Sequence, residues 1–205
     1  MPLIVDHEFR RRQVAEVASR LIADAGLEAV TVRDVAQAAG CSTAIVSHYF
    51  HNKRELLLFT YRYSIEAATA RSDHMMGPGG DDLKGFIAAL LPLDQERRTD
   101  WKIWFAFWAK AAADNEFAII QRDCVRKTRG DILGIIDTLH EQGDLCDGVD
   151  RPALARRLLL SIMGLAIQAV FDPEDWTVER QTDYLRREVD PHLRTERRRA
   201  GRGAV

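Results

Sequence analysis

The chain has 205 residues, of which 46% are apolar and 29% charged, with a net charge of −2. That is enough apolar material for a real core in one or two domains. It leaves no blanket of positive charge, since residues 1–75 hold nine Arg/Lys against nine Asp/Glu, so any nucleic-acid function must rest on the placement of a few cations. The start MPLIVDHEFRRR has no apolar signal core, and no export signal is expected.

The first periodic segment, 8–25, carries Val14, Val17, Ala18, Leu21 and Ile22 on one side and is closed by Gly26. The stretch 31–57, TVRDVAQAAGCSTAIVSHYFHNKRELL, then packs three helix starts into a short space. Thr31 with Asp34 has the spacing of a capping box for a helix over 32–39, whose apolar side is Val32, Val35, Ala36 and Ala39. Gly40 suits the left-handed end of that helix. Ser42 can cap a second helix over 43–50, with Ile45, Val46, Tyr49 and Phe50 inward and Thr43, Ala44, Ser47 and His48 outward. Asn52 with Glu55 can cap a third, over 53–74. Two short helices joined by a tight turn are the grammar of a helix-turn-helix, whose second helix enters a DNA major groove. Thr43, Ala44, Ser47 and His48 are the expected base readers. Thr31, Arg33, Ser42, Tyr49 and Lys53, at or near helix starts, are the expected phosphate contacts. Arg10, Arg11, Arg12 and Arg54 add cations close to the motif.

The runs Thr31–Ala36, Ala39–Ser42 and His48–Leu56 resemble the TetR family of bacterial repressors, over roughly residues 8–60. The resemblance implies an all-α chain of about nine helices. An N-terminal three-helix DNA-binding domain (1–55) would precede a helical effector-binding and dimerisation domain (56–193); the tail 194–205, with five Arg, one Glu and two Gly, is by composition expected to be basic and disordered. The resemblance also implies a cytoplasmic homodimeric repressor on double-stranded DNA, bound at a palindromic operator and released by a small-molecule effector.

Beyond the motif, Met76–Gly80 reads as a flexible break, and helices are expected over 81–92, 100–113, 115–141, 151–171 and 175–189. No segment alternates as a strand does. Trp101, Trp104, Phe105 and Trp108 share one face of the 100–113 helix. Such a stripe is either a bulky core face or the wall of an effector pocket. With the His48-Tyr49-Phe50 form of the motif, it resembles the choline-responsive BetI-type branch, which implies a choline-like cation among the indole rings. Leu154, Leu158, Ile162, Leu165 and Ala169 form a stripe on a helix that is apolar nearly all round. Such a helix is expected to pack inward and against a second subunit, with Trp176 and Leu185 of the last helix completing a dimer interface. The apolar run Leu158–Phe171 is shorter than the ~20 residues of a membrane span.

Cys41, Cys124 and Cys146 are far apart and form no CxxC pair, which fits a reducing compartment and no disulfide framework. The six His show no metal-ligand spacing, and no Gly-rich phosphate loop occurs. No catalytic, metal or cofactor site is therefore expected.

Overall fold

The structure, a computed structural model, describes residues 3–75 and 82–194. Among these, nine α-helices follow one another: α1 Leu3–Ala25, α2 Val32–Ala38, α3 Thr43–Tyr49, α4 Lys53–Met75, α5 Leu83–Leu90, α6 Gln95–Ala111, α7 Asn115–Glu141, α8 Arg151–Phe171 and α9 Val178–Val189. A single 3-10 turn, Asp190–His192, ends the series. The all-α reading holds. The break expected at Met76–Gly80 and most of the basic tail lie outside the described residues.

Where boundaries differ from the periodicity, polar caps set them. α6 begins at Gln95 and not near residue 100. Its first turn is polar and shows no apolar repeat, but Asp94 accepts the Arg97 N–H at 2.8 Å and starts the helix early. α9 begins at Val178, capped by Thr177, whose hydroxyl accepts the Arg180 N–H. Trp176 therefore sits in the turn ahead of the last helix and not on it.

The residues divide into two compact units. The first comprises Met1–Ala70 and Arg98–Cys124, the second Arg71–Arg97 and Val125–Val205. In the first unit Val14, Ala18 and Ile22 of α1 cover Val35, Ala36, Val46 and Phe50 of the motif, together with Leu56, Leu57 and Tyr61 of α4 and Ile103, Phe107, Phe117 and Ile120. Arg11, from α1, is half turned into this core. Its guanidinium lies 4.9 Å from the Phe50 centroid and 4.3 Å from that of Phe59, and it reaches Glu55 at 3.3 Å.

In the second unit α5 and α8 both pack on α9. The inner face of α8 is Leu154, Leu158, Ile162, Leu165 and Ala169, all buried, and α9 contributes buried Leu185 and Val189. The loop after α7 pairs with the end of the described chain. Leu145 bridges Leu193, and the Arg194 N–H donates to the Asp144 carbonyl at 2.7 Å. α8 is 21 residues long, so by length and composition it could cross a membrane, and 44% of its most apolar window is buried in the protein interior.

Candidate nucleic-acid interface

The local hydrogen bonds that build the motif are the ones its sequence encodes. The Asp34 N–H donates to Thr31 Oγ1 at 3.2 Å while the Thr31 N–H donates to Asp34 Oδ2 at 2.9 Å, closing the capping box on α2. The Thr31 hydroxyl and N–H, in that order, hold the Asp34 carboxyl below its usual pKa, with Arg33 and Lys53 helping. At the other end, Gly40 has φ +66°. Its N–H donates to the Gln37 carbonyl and that of Cys41 to the Ala36 carbonyl, a Schellman turn. That turn aims α3. Ser42 Oγ accepts the Ile45 N–H at 3.3 Å and starts it. Asn52 Oδ1 accepts the Glu55 N–H at 2.9 Å, and Glu55 Oε2 reaches back to the His51 N–H at 2.8 Å, starting α4.

α3 packs on α1 and α2 through Val46, with Phe50 just beyond its end, both buried. Its other side is open: Thr43, Ala44, Ser47 and His48 are exposed. Ile45 departs from the expected inward set. It is 47% exposed and lies among the open residues, so the apolar content of the outward face was missed. In a seven-residue helix the inward side has room for one turn of contacts, and Val46 takes it. A hydrophobicity pattern cannot choose between two adjacent β-branched residues. Tyr49 is half-buried, with its ring 4.9 Å from His7 of α1 and 5.2 Å from His48, both edge-on.

The cations fall into two sets. Arg33 is exposed and makes no side-chain hydrogen bond or salt bridge among the described residues. Lys53 gives one of its three donors to the Glu28 carbonyl at 3.2 Å, tying the loop after α1 to the start of α4. Arg11 belongs to the core, Arg12 pairs with Glu8 and Glu66, and Arg54 is held by Asp114 and Glu116. Proximity in sequence had grouped these with the DNA-facing cations. Their carboxylate partners, lying up to three helices away along the chain, were invisible to it.

The tryptophan stripe of α6 gathers around Trp101, which is buried. Its ring is 5.2 Å from Trp104, 5.7 Å from Phe105 and 5.8 Å from Trp108. The other three rings are half-buried, and the Trp104 Nε1 is buried with no hydrogen-bond partner. Ile103 and Phe107 of α6 enter the core of this unit, and Trp104 and Trp108 of the stripe pack against that core from beside them. Phe107 stacks on Tyr61 at 4.4 Å and lies 6.0 Å from Phe117. The Tyr61 hydroxyl donates to Gln121 Oε1. Burial above all, and then the neighbouring Cys124, push its pKa well above the usual phenol value, with the Trp108 indole opposing.

Of the residues expected at a dimer interface, Leu158, Ile162, Leu165, Ala169 and Leu185 are interior to the second unit, and Trp176 is half-buried with its ring edge-on to Tyr184. The open side of α8 is also apolar. Leu160 is 70% and Phe171 75% exposed, with Gly164 exposed and Ile167 half-buried between them.

A helix-turn-helix on a three-helix support, with an open recognition helix, is the arrangement of a DNA-binding regulator. The family comparisons agree. Residues 14–58 match the bacterial regulatory proteins of the tetR family, and residues 80–194 match the C-terminal part of BetI-type transcriptional repressors. The chain belongs to the TetR family of transcriptional regulators. It is 29% identical over 197 residues to the HTH-type transcriptional regulator PksA of Bacillus subtilis, covering 94% of this chain and 92% of PksA. It is 32% identical over 136 residues to the regulator BetI of Burkholderia lata, covering 64% of this chain and 70% of BetI. A putative transcriptional regulator from Saccharomonospora viridis, solved in complex with choline, superposes with a TM-score of 0.82 at 26% identity, over 92% of this chain and 100% of that one.

Proposed function

We propose that this chain is a homodimeric repressor that sits on a palindromic operator and leaves it when a small cation of the choline type binds. The observation that carries the DNA half is the open face of α3, where Thr43, Ala44, Ile45, Ser47 and His48 are exposed beside a buried Val46. Ser and Thr hydroxyls can donate to or accept from base edges, and the Ala, Thr and Ile methyls suit a thymine methyl. Thr31, Arg33, Ser42, Tyr49 and the two spare donors of Lys53 are the phosphate contacts that fix register. Residues 1–55 carry this reading, and effector binding and dimerisation fall to 56–193. The regulator works where the DNA is, in the cytoplasm.

The open side of α8 supports dimerisation. A stripe of Leu160, Gly164, Ile167 and Phe171 along a helix already apolar on its inner face leaves Leu160 and Phe171 largely exposed, with Tyr184 of α9 adding to the exposed apolar side chains. A second copy is the natural cover, because one short recognition helix reads few bases and a two-fold dimer doubles them. On this reading the interface uses the outer stripe of α8, while the inner stripe expected of the sequence packs within the protomer.

For the effector, the support is the ring cluster Trp101, Trp104, Phe105 and Trp108, in which Trp104 and Trp108 pack against the Ile103–Phe107 core and remain half-buried. The match to BetI-type repressors and the likeness to a regulator solved with choline add to it. Indole faces attract quaternary ammonium groups. The test has two parts. Selection from a random duplex library, followed by footprinting, should return a palindrome whose half-sites lie about one helical turn apart, roughly 34–36 Å. Choline chloride should then quench or shift tryptophan emission and weaken binding to that operator. Recovery of no sequence preference sinks the regulator reading, and an operator affinity indifferent to millimolar choline sinks the choline reading while leaving the repressor.

A further inference from the structure

Arg54 lies in the first turn of α4, the helix that starts directly behind the recognition helix. Its guanidinium holds two carboxylates at once. Nη1 and Nη2 fork onto Asp114, the second contact at 2.9 Å, while Nε and Nη2 reach Glu116 Oε2 at 3.0 and 2.5 Å. The same guanidinium lies 5.7 Å from the Phe117 centroid. Asp114 is not a free surface acid. It occupies the turn between α6 and α7, its carbonyl accepts the Ala118 N–H at 2.9 Å, and its Oδ1 also accepts the Glu116 N–H at 3.1 Å. The clasp therefore joins the start of α4 to the joint between the tryptophan helix and the next one.

Two features give the clasp a direction of action. Asp114 follows closely on the C-terminal end of α6, the helix that carries Trp101, Trp104 and Trp108, so a shift of α6 is delivered to Asp114 within one turn of chain. On the other side, Arg54 follows Phe50 and the Asn52 cap, so a shift of Arg54 moves the end of α3. Tyr61 lies seven positions along the same face of α4, roughly 10 Å on at 1.5 Å per residue. It stacks on Phe107 and Phe117, so α4 is also anchored at this second level. The stack is buried and apolar, whereas the clasp is polar and partly exposed, so the clasp is the level that can exchange partners. Two carboxylates around one guanidinium leave local charge negative, which disqualifies Arg54 as a phosphate anchor despite its place in the motif.

We propose that Arg54, Asp114 and Glu116 are positioning residues through which the state of the tryptophan helix sets the pose of the recognition helix. The proposal rests on the reading of α6 as the sensing helix, but coupling is reciprocal, so it can be tested with DNA and no effector. Tryptophan emission is followed on a Trp176→Phe background, where the remaining three tryptophans all lie on α6. Binding of the selected operator duplex should change that emission in the parent. In Asp114→Asn/Glu116→Gln, and independently in Arg54→Gln, the operator should still bind, at least threefold more weakly, and the emission change should fall below a third of the parent amplitude. An amplitude preserved in both variants overturns the proposal, whatever happens to affinity, because a merely structural role would weaken binding without silencing the signal. A parent whose emission ignores operator also overturns it. Failure to recover any operator removes the regulator reading first, and this one with it.

Discussion

The Arg11 guanidinium stands 4.3 Å from the Phe59 ring centroid, with Phe50 on another side at 4.9 Å. A cation that sits beside the DNA-binding motif in sequence is thus a packing element of the three-helix support. Arg11→Met should cost about 1–2 kcal/mol, the scale of a partly desolvated cation–π contact. For a chain of this size that is a fall of several degrees in melting temperature, at roughly 2–4 °C per kcal/mol. The salt dependence of operator binding should not change. A shallower salt slope would return Arg11 to the phosphate contacts.

Arg33 makes the opposite prediction. It is exposed and makes no side-chain hydrogen bond or salt bridge among the described residues, so Arg33→Ala should leave stability unchanged and lower the slope of log K against log salt by about one, the loss of one phosphate contact. Lys53→Ala should lower the slope similarly but also loosen the loop it holds through the Glu28 carbonyl, giving a small stability loss that Arg33→Ala lacks. Salt titrations with the operator and with a scrambled duplex check both, since a phosphate contact weakens both duplexes alike.

Ile45 is the base-reading candidate that the sequence hid. Replacing it with Ala removes exposed methyl groups and should change preference at one or two operator positions, with melting temperature unmoved because the side chain is 47% exposed. A library of randomised half-sites read against both proteins measures this. An unchanged preference at every position would remove Ile45 from the interface.

Acid should act on the motif's joints in a defined window. Arg54 holds the Asp114 carboxyl down at about 2, against an ordinary value of 3.8. A carboxyl whose folded pKa is depressed contributes stability that is complete above its unfolded value and is lost as pH falls through the folded one. The contribution of this clasp is therefore intact at neutral pH and disappears between about pH 4 and pH 2. Melting temperature measured across that range should fall less steeply in Asp114→Asn than in the parent. Identical acid limbs would show that the carboxylate is not held in solution as it is here.

Most of the fold was legible because its determinants are local. Thr31 with Asp34, Gly40, Ser42 and Asn52 each fix a helix end through atoms within a few residues, and nothing distant needs to be known. The candidate site was legible for the same reason where exposure follows from the helix period, as at Thr43, Ser47 and His48. Three things were not. The Ile45–Val46 choice depends on which residue meets α1 and α2. The commitment of Arg11 and Arg54 depends on partners that tertiary folding supplies. On α8 the two apolar faces look alike in sequence, and only the packing of α5 and α9 decides which is interior. Each of these is settled by contacts across the fold, about which periodicity is silent.

That last ambiguity leads to the sharpest test of assembly. Leu160 and Phe171 are 70% and 75% exposed, while Leu158 and Ile162 on the inner face are buried. Leu160→Glu, or Phe171→Glu, places a charge on a surface that water already reaches in a single copy, so the folded protomer should keep its helical content and melting behaviour at low concentration. If a second copy covers this face, the buried charge is unpaired and costs several kcal/mol per interface, enough to split a dimer at micromolar concentration. Sedimentation should then report a mass near 23.2 kDa for the variant and twice that for the parent. Operator binding should collapse toward the weak affinity of one half-site, because each protomer brings one recognition helix. Leu158→Ala is the counterpart on the inner face. It should lower stability by about 2–5 kcal/mol, as for other buried leucines, without a specific change in association. A Leu160→Glu variant that still sediments as a dimer would place the interface elsewhere, and with it the symmetry that a palindromic operator requires.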